Sequence, residues 1–388
     1  MSSLPNPSTH SASALTSSPD VVRRDFERDL WCLLGLPIDA TDVKGSQLRI
    51  EQAVAQRKRC FLTTPNLNFL IASLSDVAFR ESVINSDWVT ADGMPLVWLA
   101  KMLGMPIRER VPGSGLIEEL RSRPAAGSRP IRIFFFGGPE GVAQKACEVL
   151  AQEKSGIVGV GAYYPGFGSL SDMSQPAIID QINAAEADFV LVALGAKKGQ
   201  AWIERNRSRL NAPVISHLGA VVNFIAGTVA RAPLWLQKSG LEWLWRIYEE
   251  HSLFKRYWND GLTLLRLAYT RAVPYAMYLR KVTPTLHTLP AADCHAEVGA
   301  VTTRIRVSGA QIYDQLQTVR RVFAEQAMNA QNIELVMDDC AYVDAAFIGQ
   351  VMLLLKYQLA KGRVLSVTGV SPTVGKIFYY NNADYFLT

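Results

Sequence analysis

The sequence predicts an α/β protein: a Rossmann-like parallel sheet core with a helical C-terminal appendage, followed by a small second α/β domain. Three observations carry this reading. From about residue 30 to 225, short apolar runs alternate with stretches of helical period, the pattern of βα units laid on a parallel sheet. The runs at 130–136 (PIRIFFF) and 188–194 (DFVLVAL) are apolar without alternation, as strands covered on both faces require. Composition then changes at Arg231-Ala232-Pro233 to a helical pattern dense in Trp, Tyr, Leu and Arg, and a Pro/Thr stretch separates this from the last segment. The division that follows is a disordered tail over 1–28, a core over 29–240, an appendage over 241–283, a linker over 284–296 and a small domain over 297–388.

The totals narrow the function classes. A chain of 388 residues with 49% hydrophobic content suits two or three domains with full cores. A net charge of +5 is too small an excess to indicate a nucleic-acid partner, but it fits an anionic membrane surface or a phosphate-bearing substrate. Five scattered cysteines without a CxxC read as reduced, buried thiols of a cytoplasmic protein. The first residues are rich in Ser, Pro and Thr and lack an apolar signal core, and no uncharged apolar run of spanning length occurs. The expectation is a cytoplasmic protein, soluble or peripheral on a membrane.

Taken in order, residues 29–40 read as strand and turn and 41–57 as an amphipathic helix. A strand at 60–62 stops at Thr63-Thr64-Pro65-Asn66, where Pro65 biases Thr64 away from helix. A helix over 67–85 should follow, with Phe69, Leu70, Leu74 and Val77 on one face. A short strand at 88–90 ends at Ala91-Asp92-Gly93. Polar groups at the carboxyl ends of strands in an open α/β sheet face the crevice where such folds bind ligands, so Thr64, Asn66 and Asp92 are the leading site candidates. Gly113-Ser114-Gly115 precedes a helix at 116–121 and offers free N–H groups to an anion.

After the strand at 130–136, Gly137-Gly138-Pro139-Glu140-Gly141 leads into a helix at 142–154. That is either a phosphate-cradling turn or an ordinary tight βα connection. A strand at 157–162, a loop over 163–168 and a helix at 176–185 lead to the strand at 188–194, which ends at Gly195-Ala196-Lys197-Lys198-Gly199-Gln200. The next strand, 213–217, runs through Gly219-Ala220 to Asn223. In the appendage, Arg266 and Arg271 argue against a spanning helix and for a basic, aromatic helix lying on a bilayer. A helical subdomain packed on the core is the alternative. In the last segment, 298–307, 333–337 and 364–368 read as strands and 312–327 and 347–360 as helices.

Several blocks resemble the WecG/TagA/CpsF glycosyltransferases: TPNLNF, ADGMPLVW, RVPGSG, FFFGGPEGV, GQAWIERNR, NFIAGTVARAP, and GLEWLWRI with KRY. They stand in family order between about residues 29 and 265. The resemblance implies an inverting transferase that moves an N-acetylmannosamine-type or related sugar from a UDP donor to an undecaprenyl-diphosphate-linked saccharide. The setting would be the inner face of the cytoplasmic membrane, in making a cell-surface polysaccharide. It implies that Asp92 is the base, that Thr64 and Asn66 orient substrate, and that Gly137, Gly138, Gln200, Asn223, Arg231, Arg246, Lys255 and Arg256 serve the donor diphosphate. The alternative for Asp92 is a cap on the next helix. Arginine suits the diphosphate through its two-pronged fork. No cofactor and no metal are expected, since no paired-carboxylate metal motif stands out. Gln200 falls one place out of the family's usual Pro-Lys-Gln-Glu block, and Asn223 stands where Asp is common.

Residues 297–388 resemble a STAS domain, on the segment from Ile333 through Phe378. In that family a phosphorylatable Ser follows the Asp that here is Asp344, but Ala345 and Ala346 follow it. The resemblance therefore implies a docking or self-associating module without a phospho-switch. A non-catalytic scaffold that recruits polysaccharide machinery through this domain is the alternative function. A dinucleotide oxidoreductase is disfavoured by the lack of GxGxxG and its acidic partner.

Overall fold

The computed structural model describes residues 18–123, 129–229, 232–233, 235–236, 242–249, 251 and 254–387. Helix α1 (Pro19–Phe26) precedes an antiparallel hairpin of β1 (Leu30–Leu33) and β2 (Leu36–Asp39). Helix α2 (Val43–Ala55) then leads into a parallel six-stranded sheet. Its strands are β3 (Cys60–Thr63), β4 (Trp88–Val89), β5 (Ile131–Gly137), β6 (Ile157–Tyr163), β7 (Phe189–Ala193) and β8 (Val214–His217), in the spatial order β4-β3-β8-β7-β5-β6. This is the expected Rossmann-like core.

Both faces of the sheet are buried, which explains the non-alternating runs. Ile133, Phe135 and Leu191 enter one core, while Phe134, Phe136, Val190 and Val192 enter the other, where Phe136 stacks on Trp202 at 4.1 Å. The helix expected over 67–85 is two helices, α3 (Leu67–Ser75) and α4 (Val77–Ile84). Asp76 causes the break: in extended conformation, its carboxylate accepts from Phe79 N at 3.0 Å and caps a fresh helix. The phase resets there, so Phe69 and Leu70 are buried but Val77 turns to solvent. Helices α5 (Met94–Met102), α6 (Gly113–Arg121), α7 (Val142–Gln152), α8 (Pro176–Ala184), α9 (Ala196–Asn206) and the short α10 (Val221–Ile225) complete the core.

The appendage is helical over Glu242–Glu249 and Phe254–Leu267, and it continues through a π-helical turn (Ala268–Ala272) into a helix at Val273–Val282. The widened turn immediately precedes Pro274, which has no N–H to give the ladder and crowds the preceding carbonyl. Among the described residues, no helix is long and apolar enough to cross a membrane.

The last segment forms a mixed sheet. Its strands β10 (Thr302–Gln311), β11 (Asn332–Val336), β12 (Cys340–Val343) and β13 (Leu365–Thr368) are parallel in the order β12-β10-β11-β13, and β9 (Asp293–Val298) pairs antiparallel with β10. Strand β9 and the 3₁₀ turn Thr283–Thr288 occupy most of the span read as a linker. The span read as a tail likewise contains α1, with Val22 and Phe26 buried. Phe26 stacks on Tyr357 of the C-terminal helix Ala345–Ala360 at 5.7 Å. That helix is buried along nearly its whole length and lies against β1, where a Cβ at Gly349 would come within 2.5 Å of Leu30 O. The chain's own amino-terminal segment thus covers one face of this helix.

Charges lock this junction. Arg28 clamps Asp39 through two bonds of 2.9 and 2.7 Å and also donates to Asp25 at 3.1 Å. Lys356 Nζ donates to Asp25 Oδ2 and Asp87 Oδ1, each at 2.8 Å. Asp87 in turn accepts from Phe61 N, and Asp39 from Val89 N, so the cluster grips the starts of β3 and β4. Burial would raise the Asp87 carboxyl, but Lys356 and Arg207 outweigh it and hold it at about 2.

Candidate active site

The carboxyl ends of four adjacent strands, β4, β3, β8 and β7, open into one cavity of about 550 Å³. Its floor is made by Thr64, Asn66 and Asp92 on one side and by Leu194, His217 and Gly219 on the other. The appendage helices close over it with Glu242, Trp243, Arg256, Tyr257 and Asp260. This crevice is where an open α/β sheet presents its ligand site.

Local sequence explains each floor position. Thr64 is buried at the end of β3, and Asn66 caps α3 by accepting from Phe69 N at 3.2 Å. Asp92 lies three residues after Val89, the last paired position of β4, and its N–H donates to Pro65 O at 2.7 Å, tying the two strand tips together. The cap position of α5 belongs to Gly93, one residue on, so Asp92 stands ahead of the cap. The strand end below is braced by a buried chain: Gln200 Nε2 donates to Thr63 Oγ1 at 3.1 Å, and Thr63 Oγ1 meets Ser86 Oγ at 2.7 Å.

Of the residues singled out in the sequence, Thr64, Asn66, Asp92, Arg256 and the turn residues Gly113 and Ser114 meet in this cavity, the last two already inside α6 rather than ahead of it. Gln200 does not reach the cavity. It is fully buried beneath the strand tip, so it braces Thr63 from behind. Gly137 and Gly138 end β5 at φ +95° and +85°, outside the cavity lining. A Cβ on Gly137 would sit 2.7 Å from Ala193 O and one on Gly138 3.2 Å from Val222, so the turn itself requires glycine. Asn223 is also outside the lining and accepts from Thr228 Oγ1 at 3.1 Å. Lys255 is exposed on the appendage and does not line the cavity, whereas the adjacent Arg256 does. Arg231 lies outside the described residues, as does the side chain of Arg246.

The lining residues not named as site candidates from sequence include Arg110, His217, Trp243 and Asp260. Arg110, in the loop before α6, bonds Glu242 at 2.5 Å, joining core to appendage across the cavity. His217 ends β8; the strand-tip argument that selected Thr64 and Asp92 applies to it equally. Its Nε2 bonds Leu194 O, and burial lowers its pKa, so the ring is neutral near pH 7. Trp243 supplies an apolar wall. Asp260, almost fully buried, is a third carboxylate beside Asp92 and Glu242; burial raises it, against the hydrogen bond from Asn68 and the charge of Arg256. A carboxylate at a strand tip facing arginines across a half-apolar cleft suits proton removal from a hydroxyl beside an anionic leaving group.

Comparison with known proteins places the chain among glycosyltransferases. The chain is 26% identical over 201 residues to an N-acetylglucosaminyldiphosphoundecaprenol N-acetyl-β-D-mannosaminyltransferase of Bacillus spizizenii, covering 52% of this chain and 76% of that one. It is 24% identical over 216 residues to the protein of the same description from Staphylococcus aureus strain NCTC 8325, covering 55% and 82%. The model of the glycosyl transferase WecG/TagA/CpsF family matches residues 31–276, the span from the hairpin through the appendage. The chain belongs to the WecG/TagA/CpsF glycosyltransferase family.

Proposed function

We propose that the protein is an inverting glycosyltransferase that moves an N-acetylmannosamine-type or related sugar from a UDP donor to an undecaprenyl-diphosphate-linked saccharide, in building a cell-surface polysaccharide. The observation that carries this reading is the cavity that gathers Thr64, Asn66 and Asp92 opposite Arg110 and Arg256. The named relatives act on a lipid-diphosphate-linked N-acetylglucosamine, which supports the same acceptor class here.

In the reaction, the acceptor hydroxyl attacks the anomeric carbon from the side opposite the diphosphate. Asp92 takes the hydroxyl proton as the new C–O bond forms, and UDP leaves with the electron pair of the breaking bond. Thr64 and Asn66 orient the acceptor or sugar. Arg256, together with Arg231 and Arg246, meets the charge that grows on the diphosphate. With cationic side chains in that role, transfer should persist in EDTA. A chelator-sensitive rate restored by a divalent ion would contradict that assignment.

The appendage also supports a membrane-facing role at the inner leaflet. Phe254, Trp258, Leu265 and Tyr269 are exposed beside Lys255, Arg256 and Arg266 on one helix and the π turn that follows it. The test of the activity is a panel of UDP-sugars incubated with purified protein and a lipid-diphosphate-linked acceptor. Sugar transfer with inversion is the expected result. Absence of turnover with every donor would favour the non-catalytic scaffold.

A further inference from the structure

A second cavity, of about 560 Å³, lies at the opposite edge of the same sheet, where β3 and β8 begin. Its walls come from both halves of the molecule. Arg24 of α1, Arg49 of α2, Lys58 and Arg59 before β3, and Arg207 after α9 stand on one side; Lys356 and Lys361 of the C-terminal domain stand on the other. Among the described residues, the lining has only two carboxylates, Asp25 and Asp87, and both are already bonded to Lys356 at 2.8 Å.

Neutral groups orient most of the remaining cations. Arg59 donates to Ser208 O at 3.3 Å, Arg24 to Asp20 O at 3.1 Å, and Lys361 to Ala327 O and Asn329 O at 2.6 and 2.8 Å. Arg207 donates to Asn85 O at 3.1 Å, with Glu204 at 3.5 Å. Carbonyls hold Arg59, Arg24 and Lys361 in place without cancelling their charge, whereas Glu204 partly offsets that of Arg207. A concave site with positioned, uncompensated cations selects an anion with several charged oxygens, and its volume falls in the range of ligand pockets, roughly 300–1,000 Å³.

We propose that this junction is a binding site for a small molecule bearing two or more phosphates, separate from the glycosyltransferase cleft. Such a ligand would bridge Arg49 and Arg59 on the sheet side to Lys361 on the C-terminal domain. It would bear on the starts of β3 and β4, whose other ends carry Thr64 and Asp92.

The test uses the full-length protein and inorganic tripolyphosphate at fixed ionic strength, read by titration calorimetry and by thermal melting. Saturable binding and a rise in Tm of about 2–4 °C or more are expected. The double variant Arg59→Gln/Lys361→Gln, and separately Arg49→Gln, should weaken binding about tenfold or more, while Arg256→Gln in the other cavity leaves it unchanged. Absence of saturable binding overturns the proposal. So does binding that Arg256→Gln weakens and the junction variants leave intact, because the probe would then sit in the glycosyltransferase cleft.

Discussion

Gly199 shows how a residue without chemistry of its own sets the cavity. It lies in the first turns of α9, and a Cβ there would fall 2.2 Å from His217 Cδ2. Gly199→Ala should therefore push the ring from its contact with Leu194 O toward the cavity. We expect a loss of about 1–3 kcal/mol in urea denaturation, together with a fall in transfer rate. A variant with unchanged stability and rate would mean that the ring has room to yield. The sequence made Thr64, Asn66 and Asp92 legible because strand ends can be read from local pattern. It concealed the fate of Gln200: the motif names the residue, but only the packing of α9 under β3 shows that its amide serves Thr63. Arg110 was concealed for a similar reason, since its partner Glu242 lies 132 residues away.

Among elements, the informative contact is that between the helix Ala345–Ala360 and the amino-terminal segment. Lys356 and Asp25 are 331 positions apart, so no local pattern could announce the pair, and α1 read as tail because its apolar face is only Val22 and Phe26. Lys356→Met should cost about 3–5 kcal/mol, because Asp25 and Asp87 would stay buried with a cation removed. The pH dependence has a definite sign. Asp87 is held at about 2, below its ordinary value, so its contribution is fully present above about pH 4 and is lost as pH falls toward 2. Removing Lys356 should shift that acid loss to higher pH, which urea midpoints between pH 2 and 5 would detect. Superimposable acid limbs for the two proteins would remove Lys356 as the cause of the shift.

At the scale of the whole molecule, the appendage faces two ways. Leu267, Ala272 and Tyr275 are buried, with Tyr275 stacked on Tyr380 at 5.6 Å, while Trp258, Leu265 and Tyr269 face solvent. The packed-subdomain reading of this segment therefore describes part of it, and the exposed face is the part on which the bilayer reading rests. Because one face is core, membrane affinity is better tested by substitution than by deletion. Trp258→Glu/Leu265→Glu should reduce co-flotation with anionic liposomes about tenfold or more, and high salt should weaken binding of the unchanged protein. Equal flotation of both proteins would place the membrane contact elsewhere. The central claim is that the strand-tip carboxylate removes the acceptor proton while arginines across the cavity hold the diphosphate. The most direct measurement compares Asp92→Asn with the unchanged protein, following sugar transfer to the lipid-linked acceptor and UDP binding side by side. The account predicts transfer lowered about 10²–10⁴-fold with UDP affinity unchanged; transfer at the full rate by Asp92→Asn would contradict it.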